Sequence, residues 1–484
     1  MQVVDSSNPI RSRLLRLSLF ALTATTTVAW LVVSSDINPN GNAVAMAVNP
    51  RDQLPNLITP SPAIHVRLKG TLTGHAKRII ELAFSPDGEN IATGSEDGIV
   101  RVWNARGGEL QATLICVGKY HWAMNIVWSP DGQMIAIDGG YGGKGLEIWD
   151  VRTVKLKVVL ATRKLTAVDW SPDSKTVLTT TIWDHVGKLW DVETGSQLAT
   201  FDQDPACPSK GFWKDLYNNR ADDPDCQKPL HLSARFGDGT VITASDVHPA
   251  KVWDPSTGKL KKIVALRGEG SGEKWYLNDI VLSPDRRLVA GYFDKEVALL
   301  DTATGEVKHS LGKIGVPMAF SPDSKMLLTT IREPTNRTMG DWDQFKLYDI
   351  ATGQLRLTFE RSDLTLYRRD LQWSADGRTI IVARGGAQLL DARTGRVKGS
   401  ISYRACTPES FFGDDGCQPF ILSADGRMAA KVTNPIRLWS DNGTLLTTLD
   451  NAHAPAEFNP TDPHCLITRS RDKKSALLWE VIVD

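Results

Sequence analysis

Residues 74–114, GHAKRIIELAFSPDGENIATGSEDGIVRVWNARGGELQATL, decide how the whole chain is read. A Gly-His pair (Gly74-His75) precedes a strand from Ile79 to Phe84, which turns through Ser85-Pro86-Asp87-Gly88 into a second strand from Asn90. Glu96-Asp97-Gly98 then turns the chain into a third strand ending Val102-Trp103-Asn104, and a fourth follows Gly107-Gly108. Pro presets φ, Asp bonds back to the turn backbone, and Gly takes the left-handed position. The stretch is thus a four-stranded antiparallel unit.

Weaker copies of this unit fill most of the remaining chain. The Trp103-Asn104 position recurs at Trp149-Asp150, Trp190-Asp191, Trp253-Asp254, Leu300-Asp301, Tyr348-Asp349, Leu390-Asp391, Trp439-Ser440 and Trp479-Glu480. The hairpin turn recurs in step, as in Ser129-Pro130-Asp131-Gly132, Ser171-Pro172-Asp173-Ser174, Phe236-Gly237-Asp238-Gly239, Ser283-Pro284-Asp285 and Ser423-Ala424-Asp425-Gly426. A second turn follows the Trp-Asp position, as at Thr194-Gly195, Thr257-Gly258 and Thr394-Gly395. A lone four-stranded sheet cannot bury both of its faces, and stacking such sheets radially buries each against the next. The expected fold is all-β: a single closed β-propeller of four-stranded antiparallel blades over residues 64–484. Nine blades follow from the count, or eight if one degenerate unit is absorbed. The last unit stops at its third strand, from Ala476 to Val483, so Ile64 to Leu72 is predicted to supply the missing fourth and close the ring.

Gly-His followed about thirty residues later by Trp-Asp resembles the signature of the WD-repeat family. The resemblance implies an internal network joining a loop His, a strand Ser or Thr, a turn Asp and the Trp. The first unit supplies His75, Asp97 and Trp103 for it. Asp184 and Asp294 match the Asp position of their units without a matching His, and Leu300, Tyr348 and Leu390 replace the Trp. Fifteen tryptophans is a high number, and the bland role of Trp128, Trp170 and Trp373, each just before a hairpin turn, is packing between blades.

Lysines and arginines number 56, as do aspartates and glutamates, so there is no basic excess of the kind nucleic-acid binding requires. Arg11, Arg13 and Arg16 precede an uncharged run, residues 17–35, followed by Ala45-Met46-Ala47. That order is the order of an export signal, or of a signal anchor if uncleaved. Residues 1–47 are assigned to it, 48–63 to a Pro/Asn-rich linker and 64–484 to the propeller. The propeller is thereby placed outside the cytoplasm, periplasmic, secreted or membrane-anchored, with the membrane touched only through the N-terminal segment. Cys207 and Cys226 bracket one loop, Cys406 and Cys417 another, and both loops end Cys-Gln with a Pro close behind and a Leu-Ser-Ala run following. Two disulfide-closed loops fit an exported chain. Zinc competes for these cysteines, without the spacing of a zinc knuckle. Cys116 and Cys465 read as single buried thiols.

Antiparallel blades put the hairpin turns and the Thr-Gly turns on one face, the turn face. The connections between blades, and the turns before each third strand, lie on the other, the loop face. Aromatics divide unevenly between them. The turn motifs hold only Phe236, whereas the loop face receives Tyr120, Trp122, Trp183, Phe212, Trp213, Tyr217, Trp275, Tyr276, Tyr367, Phe411 and Phe412. Trp and Tyr are enriched where partners dock. Packing beneath their own loops is the structural alternative, expected for roughly half of them. Catalysis finds less support. His121, His185, His231, His248 and His453 fall on or near the loop face, but none belongs to a metal-binding motif, and no nucleophile turn or phosphate loop occurs. The sequence therefore predicts an exported, monomeric, non-enzymatic scaffold for protein partners, with no cofactor and no metal. A propeller enzyme or small-ligand sensor using the channel mouth is the first alternative, favoured by two carboxylates and a His, or a bound metal, converging there, and a cytoplasmic scaffold is the second.

Overall fold

The computed structural model describes residues 64–483 except 118–124, 139–144, 163–164, 182–185, 203–231, 246–249, 265–280, 294–295, 313–316, 332–343, 360–370, 384–385 and 403–419. The proposed signal and linker lie outside the described residues, as do Asp184 and Asp294. Nine four-stranded antiparallel sheets follow one another along the chain. Blade 1 spans residues 79–115, blade 2 125–160, blade 3 165–202, blade 4 232–264, blade 5 281–310, blade 6 317–359, blade 7 371–402 and blade 8 420–449. Blade 9 takes three strands from residues 452–483 and its fourth from Ile64–Leu72.

The closure foreseen from the incomplete last unit is present. Ile64–Leu72 runs antiparallel to Ala476–Val483, with Val66 opposite Val481 and Gly70 opposite Leu478. Arg67 and Glu480 pair across the two strands. The first strand of blade 9 (Ala452–Phe458) also touches that of blade 1 (Ile79–Phe84), which completes the ring. Nine blades therefore stand, and the eight-blade count is excluded.

Among the described residues the core is divided between the blades. The buried apolar side chains form nine clusters, each drawn from two adjacent blades. The seam between blades 9 and 1 holds Leu72, Ile79, Phe84, Trp103, Ile467 and Leu478. At the repeated Trp position, Trp103, Trp149, Trp190, Trp253, Trp439 and Trp479 are buried, and Leu300, Tyr348 and Leu390 are buried where they replace it. Trp128 and Trp170 are buried as inter-blade packers, and each also donates its indole N–H to the preceding blade, to the carbonyls of Ala83 and Val127 at 3.2 Å. Trp373 packs likewise, but its indole nitrogen finds no partner among the described residues.

The hairpin turns repeat one hydrogen-bonded device. In blade 1, Ser85 Oγ donates to Asp87 Oδ1 at 2.5 Å and accepts from Asn90 N at 2.9 Å, while Glu89 N donates to Asp87 Oδ1 at 2.9 Å. The left-handed position is Gly88 in blade 1, whereas Ser174, Arg286 and Ser324 adopt it in blades 3, 5 and 6 with φ of 59°, 62° and 60°. Blade 4 departs from the pattern. Phe236-Gly237-Asp238-Gly239 is not a copy of the longer turn but a tighter hairpin, in which Gly237 N donates directly to Thr240 O at 2.9 Å. A hydroxyl of blade 5 caps this turn: Thr302 Oγ1 accepts from Asp238 N at 3.0 Å and donates to Arg286 O at 2.7 Å, much as Ser174 Oγ and Ser324 Oγ accept from Asp131 N and Asp285 N at 3.3 and 3.0 Å. A Cβ on Gly237 would lie 2.7 Å from that of Thr302, so only glycine leaves room for the capping residue. The likeness of the two Leu-Ser-Ala runs does not survive either. Leu232 opens the first strand of blade 4, whereas Ser423 begins the hairpin turn of blade 8.

Candidate functional site

Every loop-face aromatic singled out in the sequence (Tyr120, Trp122, Trp183, Phe212, Trp213, Tyr217, Trp275, Tyr276, Tyr367, Phe411 and Phe412) lies outside the described residues, and so do Cys207, Cys226, Cys406 and Cys417. Phe236, the one aromatic of the turn motifs, is buried at the end of its strand. The described chemistry therefore resides in three places: the polar network of blade 1, the inner strands at the seams, and the turn face.

The blade 1 network is complete. Trp103 Nε1 donates to Thr93 Oγ1 at 3.0 Å, Thr93 Oγ1 lies 2.8 Å from His75 Nε2, and His75 Nδ1 lies 3.0 Å from Asp97 Oδ2. The strand hydroxyl that the sequence left unnamed is thus Thr93. Burial pushes the His75 imidazole below its ordinary range, against the opposing pull of Asp97. Against its own burial, the Asp97 carboxyl is held low by the N–H of Ala76 and by His75. With the side chains of His75 and Asp97 only 0% and 7% exposed, the set is structural: it pins the loop before blade 1 to the turn before its third strand.

Part of the network persists elsewhere. The Trp indole meets a strand threonine in blades 3, 4 and 9, as Trp190–Thr179, Trp253–Thr243 and Trp479–Thr468 at 2.7–2.9 Å. In blade 2 a buried carboxylate stands in. Glu147 Oε2 accepts from Trp149 Nε1 at 3.0 Å, and Oε1 accepts from Val117 N at 2.7 Å in the connection leaving blade 1. Sequence reading missed Glu147; a charged residue between Leu146 and Ile148 in an apolar strand was its only signal. Cys116 and Cys465 are free and buried as expected, and burial pushes their thiols up to about 12 and about 11, too high for either to act as a nucleophile.

At three seams a side chain of one inner strand captures a main-chain N–H of the next. Glu457 Oε2 accepts from Phe84 N at 3.1 Å, Asp169 Oδ2 from Phe236 N at 2.9 Å, and Gln372 Oε1 from Leu422 N at 3.1 Å. All three acceptors stand immediately before the last residue of their strand. Arg286 of blade 5 reaches past blade 4 to the Trp170 carbonyl at 3.2 Å and to Asp169 at 3.5 Å. At the seam between blades 9 and 1, Glu81 and Glu457 are both half-buried, and desolvation pushes each carboxyl up to about 7. The Glu81 charge raises the cost of charging Glu457 further. Of these two carboxylates, Glu457 is already used to hold the seam. Among the described residues no group of three His, Cys, Asp or Glu could hold a metal ion, and no helix is long and apolar enough to cross a membrane.

On the turn face a cleft of about 380 Å³ opens between blades 7 and 8, lined by Asp376, Arg378, Thr379, Lys398, Asp425, Arg427 and Asp441. Lys398 Nζ lies 2.6 Å from Asp441 Oδ2 and donates to Thr379 Oγ1 at 3.2 Å.

Known proteins place this architecture. The family model of the WD domain, G-beta repeat, matches residues 66–104 and 156–191. The matched repeats and the nine-bladed ring are those of WD-repeat β-propellers. It is 25% identical over 288 residues to the guanine nucleotide-binding protein subunit beta of Zea mays, a match covering 50% of this chain and 73% of that protein. It is 32% identical over 114 residues to the WD repeat-containing protein slp1 of Schizosaccharomyces pombe, a match covering 23% of each. A solved structure of a eukaryotic initiation factor superposes with a TM-score of 0.52 over 78% of this chain and 88% of that one, at 13% identity, a likeness of fold alone.

Proposed function

We propose that this chain is an exported, non-enzymatic scaffold that captures protein partners through the loop face of its propeller. One observation carries the reading: the long connections all belong to the loop face. Residues 203–231, 265–280, 360–370 and 403–419 join one blade to the next, and 332–343 precede a third strand, whereas the turn-face connections are tight turns. Recognition is commonly carried by the connections of a fixed scaffold that are longest. WD-repeat relatives such as the maize protein, by name a subunit, bind protein partners. The aromatics on these connections supply area for docking, and two disulfides, Cys207–Cys226 and Cys406–Cys417, would hold two of the loops in shape.

Capture of partners by the full chain from its own extracytoplasmic fraction, compared with Trp213→Ala and Phe411→Ala, tests the loop face. Unchanged capture by both variants refutes it. Export is tested by thiol counting on denatured, unreduced protein from cells. Of the six cysteines only Cys116 and Cys465 should react. Six reactive thiols would mark a reduced, cytoplasmic chain.

A further inference from the structure

We infer that the turn face of blades 5–8 is a docking arc for an acidic segment of a protein partner. This rests on the scaffold reading but concerns the opposite face and a different chemistry. The residue just after the hairpin turn is Arg287, Lys325, Arg378 and Arg427 in four consecutive blades, all exposed. The same position holds Glu89, Gln133, Lys175 and Thr240 in blades 1–4, so the unbroken run of cations is that of blades 5–8.

The aspartate two residues before three of these cations offsets the charge as an ion pair, but it leaves the terminal nitrogens of the arginines open. Its Oδ1 is committed to the turn: in blade 7, Asp376 Oδ1 accepts from Ser374 Oγ at 2.6 Å and from Arg378 N at 2.9 Å, and in blade 8, Asp425 Oδ1 accepts from Ser423 Oγ at 2.7 Å and from Arg427 N at 3.1 Å. The basic heads keep only long contacts to the second oxygens, 3.7 Å for Lys325, 3.9 Å for Arg378 and 3.8 Å for Arg427. The terminal nitrogens of Arg378 and Arg427 have no partner among the described residues, and both side chains line the cleft between blades 7 and 8. A guanidinium presents a planar fork that fits a carboxylate with two parallel hydrogen bonds. One exposed pair contributes little and is screened by salt, but a row of cations along an extended acidic chain steers and orients it. The aspartates between the cations space the positive charges. That spacing suits separate carboxylates on a peptide and opposes the continuous charge of a nucleic-acid backbone.

The test uses the full chain and a fluorescein-labelled peptide of alternating Glu and Ser, followed by fluorescence anisotropy at low salt. The wild-type chain should bind it, and added salt should weaken the binding steeply. R378E/R427E should bind it about tenfold more weakly or worse, with an unchanged melting midpoint. Lys175→Glu, at the same turn position in blade 3, should stay within about twofold of the wild type, because a single exposed charge contributes little. Equal binding by R378E/R427E and the wild type, no binding by the wild type, or tighter binding of single-stranded oligothymidylate through the same two arginines would each overturn the inference. The loop-face capture experiment is scored separately. A chain that captures partners but ignores the peptide loses the arc and keeps the scaffold. A chain that binds the peptide through Arg378 and Arg427 but captures nothing keeps the arc and loses the scaffold.

Discussion

Glu457→Gln should stabilise the ring at high pH and leave it unchanged at low pH. In the folded chain the Glu457 carboxyl is pushed up to about 7, chiefly by burial and further by Glu81, from an ordinary value of 4.5. The folded state therefore holds more protons than the unfolded state between those two values, and stability falls as pH rises through that window. Below 4.5 both states are protonated and the group contributes no pH dependence. A shift of this size corresponds to at most about 3.4 kcal/mol, at ~1.36 kcal/mol per unit. The group is half-buried and coupled to Glu81, so about 1–2 kcal/mol is the expected gain on neutralising it at about pH 8. Gln preserves the acceptor that Phe84 N uses at 3.1 Å, so the seam itself is retained. Urea unfolding of wild type and variant at about pH 4.5 and about pH 8, with amide exchange at Phe84 as a local probe, measures the difference. A variant equally displaced from wild type at both pH values would refute the reasoning, because the effect would then be packing and not charge.

Thr93→Val removes the acceptor of the buried Trp103 indole and breaks the link to His75; a loss of about 2–4 kcal/mol is expected by chemical denaturation, and a loss below about 0.5 kcal/mol would show the network to be incidental. Leu478→Ala opens a void in the cluster joining blade 9 to blade 1, at a fully buried residue. It should cost about 2–5 kcal/mol and increase proteolysis within residues 64–72 first; an unchanged proteolysis pattern counts against the closure strand as the weak point. Thr302→Val strands Asp238 N in the short hairpin of blade 4 and Arg286 O in the hairpin of blade 5. A loss of about 1–3 kcal/mol should follow, and Gly237→Ser should fail to restore it because the new side chain meets residue 302. Restoration by that serine would disprove the borrowed-hydroxyl account.

The ring was legible because two turn motifs recur in phase, each with its own hydrogen-bond logic, and because Ile64–Leu72, ahead of the first full unit, pairs with Ala476–Val483. His75, Asp97 and Trp103 were legible as a set since the family pattern spaces them within one blade. The seam acceptors were not. Asp169 and Phe236 are 67 residues apart and Glu457 and Phe84 373 apart, so no local pattern couples them. Blade 4 deceived in another way: Gly-Asp-Gly imitates the end of the common turn, and only the distance from Phe236 to Thr243, two residues shorter than from Phe84 to Thr93, betrays the tighter hairpin. The exposed cations of blades 5–8 are unremarkable one by one in the sequence. They become a surface only when consecutive blades put the same turn position on the same side.

Closure of the ring by Ile64–Leu72 also sets the order in which the protein can assemble. Arg67 and Glu480, paired across the closing strands, are separated by 413 positions. During synthesis the early strand must wait, its backbone amides and carbonyls unmatched, until almost all of the chain has emerged. Such far-apart pairing is slow to form, and a waiting strand edge invites the wrong neighbour. Eight blades can gather by adding each to the last, but the ninth is a composite whose completion is a separate, late event. Its formation should appear as a slow final phase in refolding, faster in a circular permutant that makes residues 64–72 follow Val483 directly.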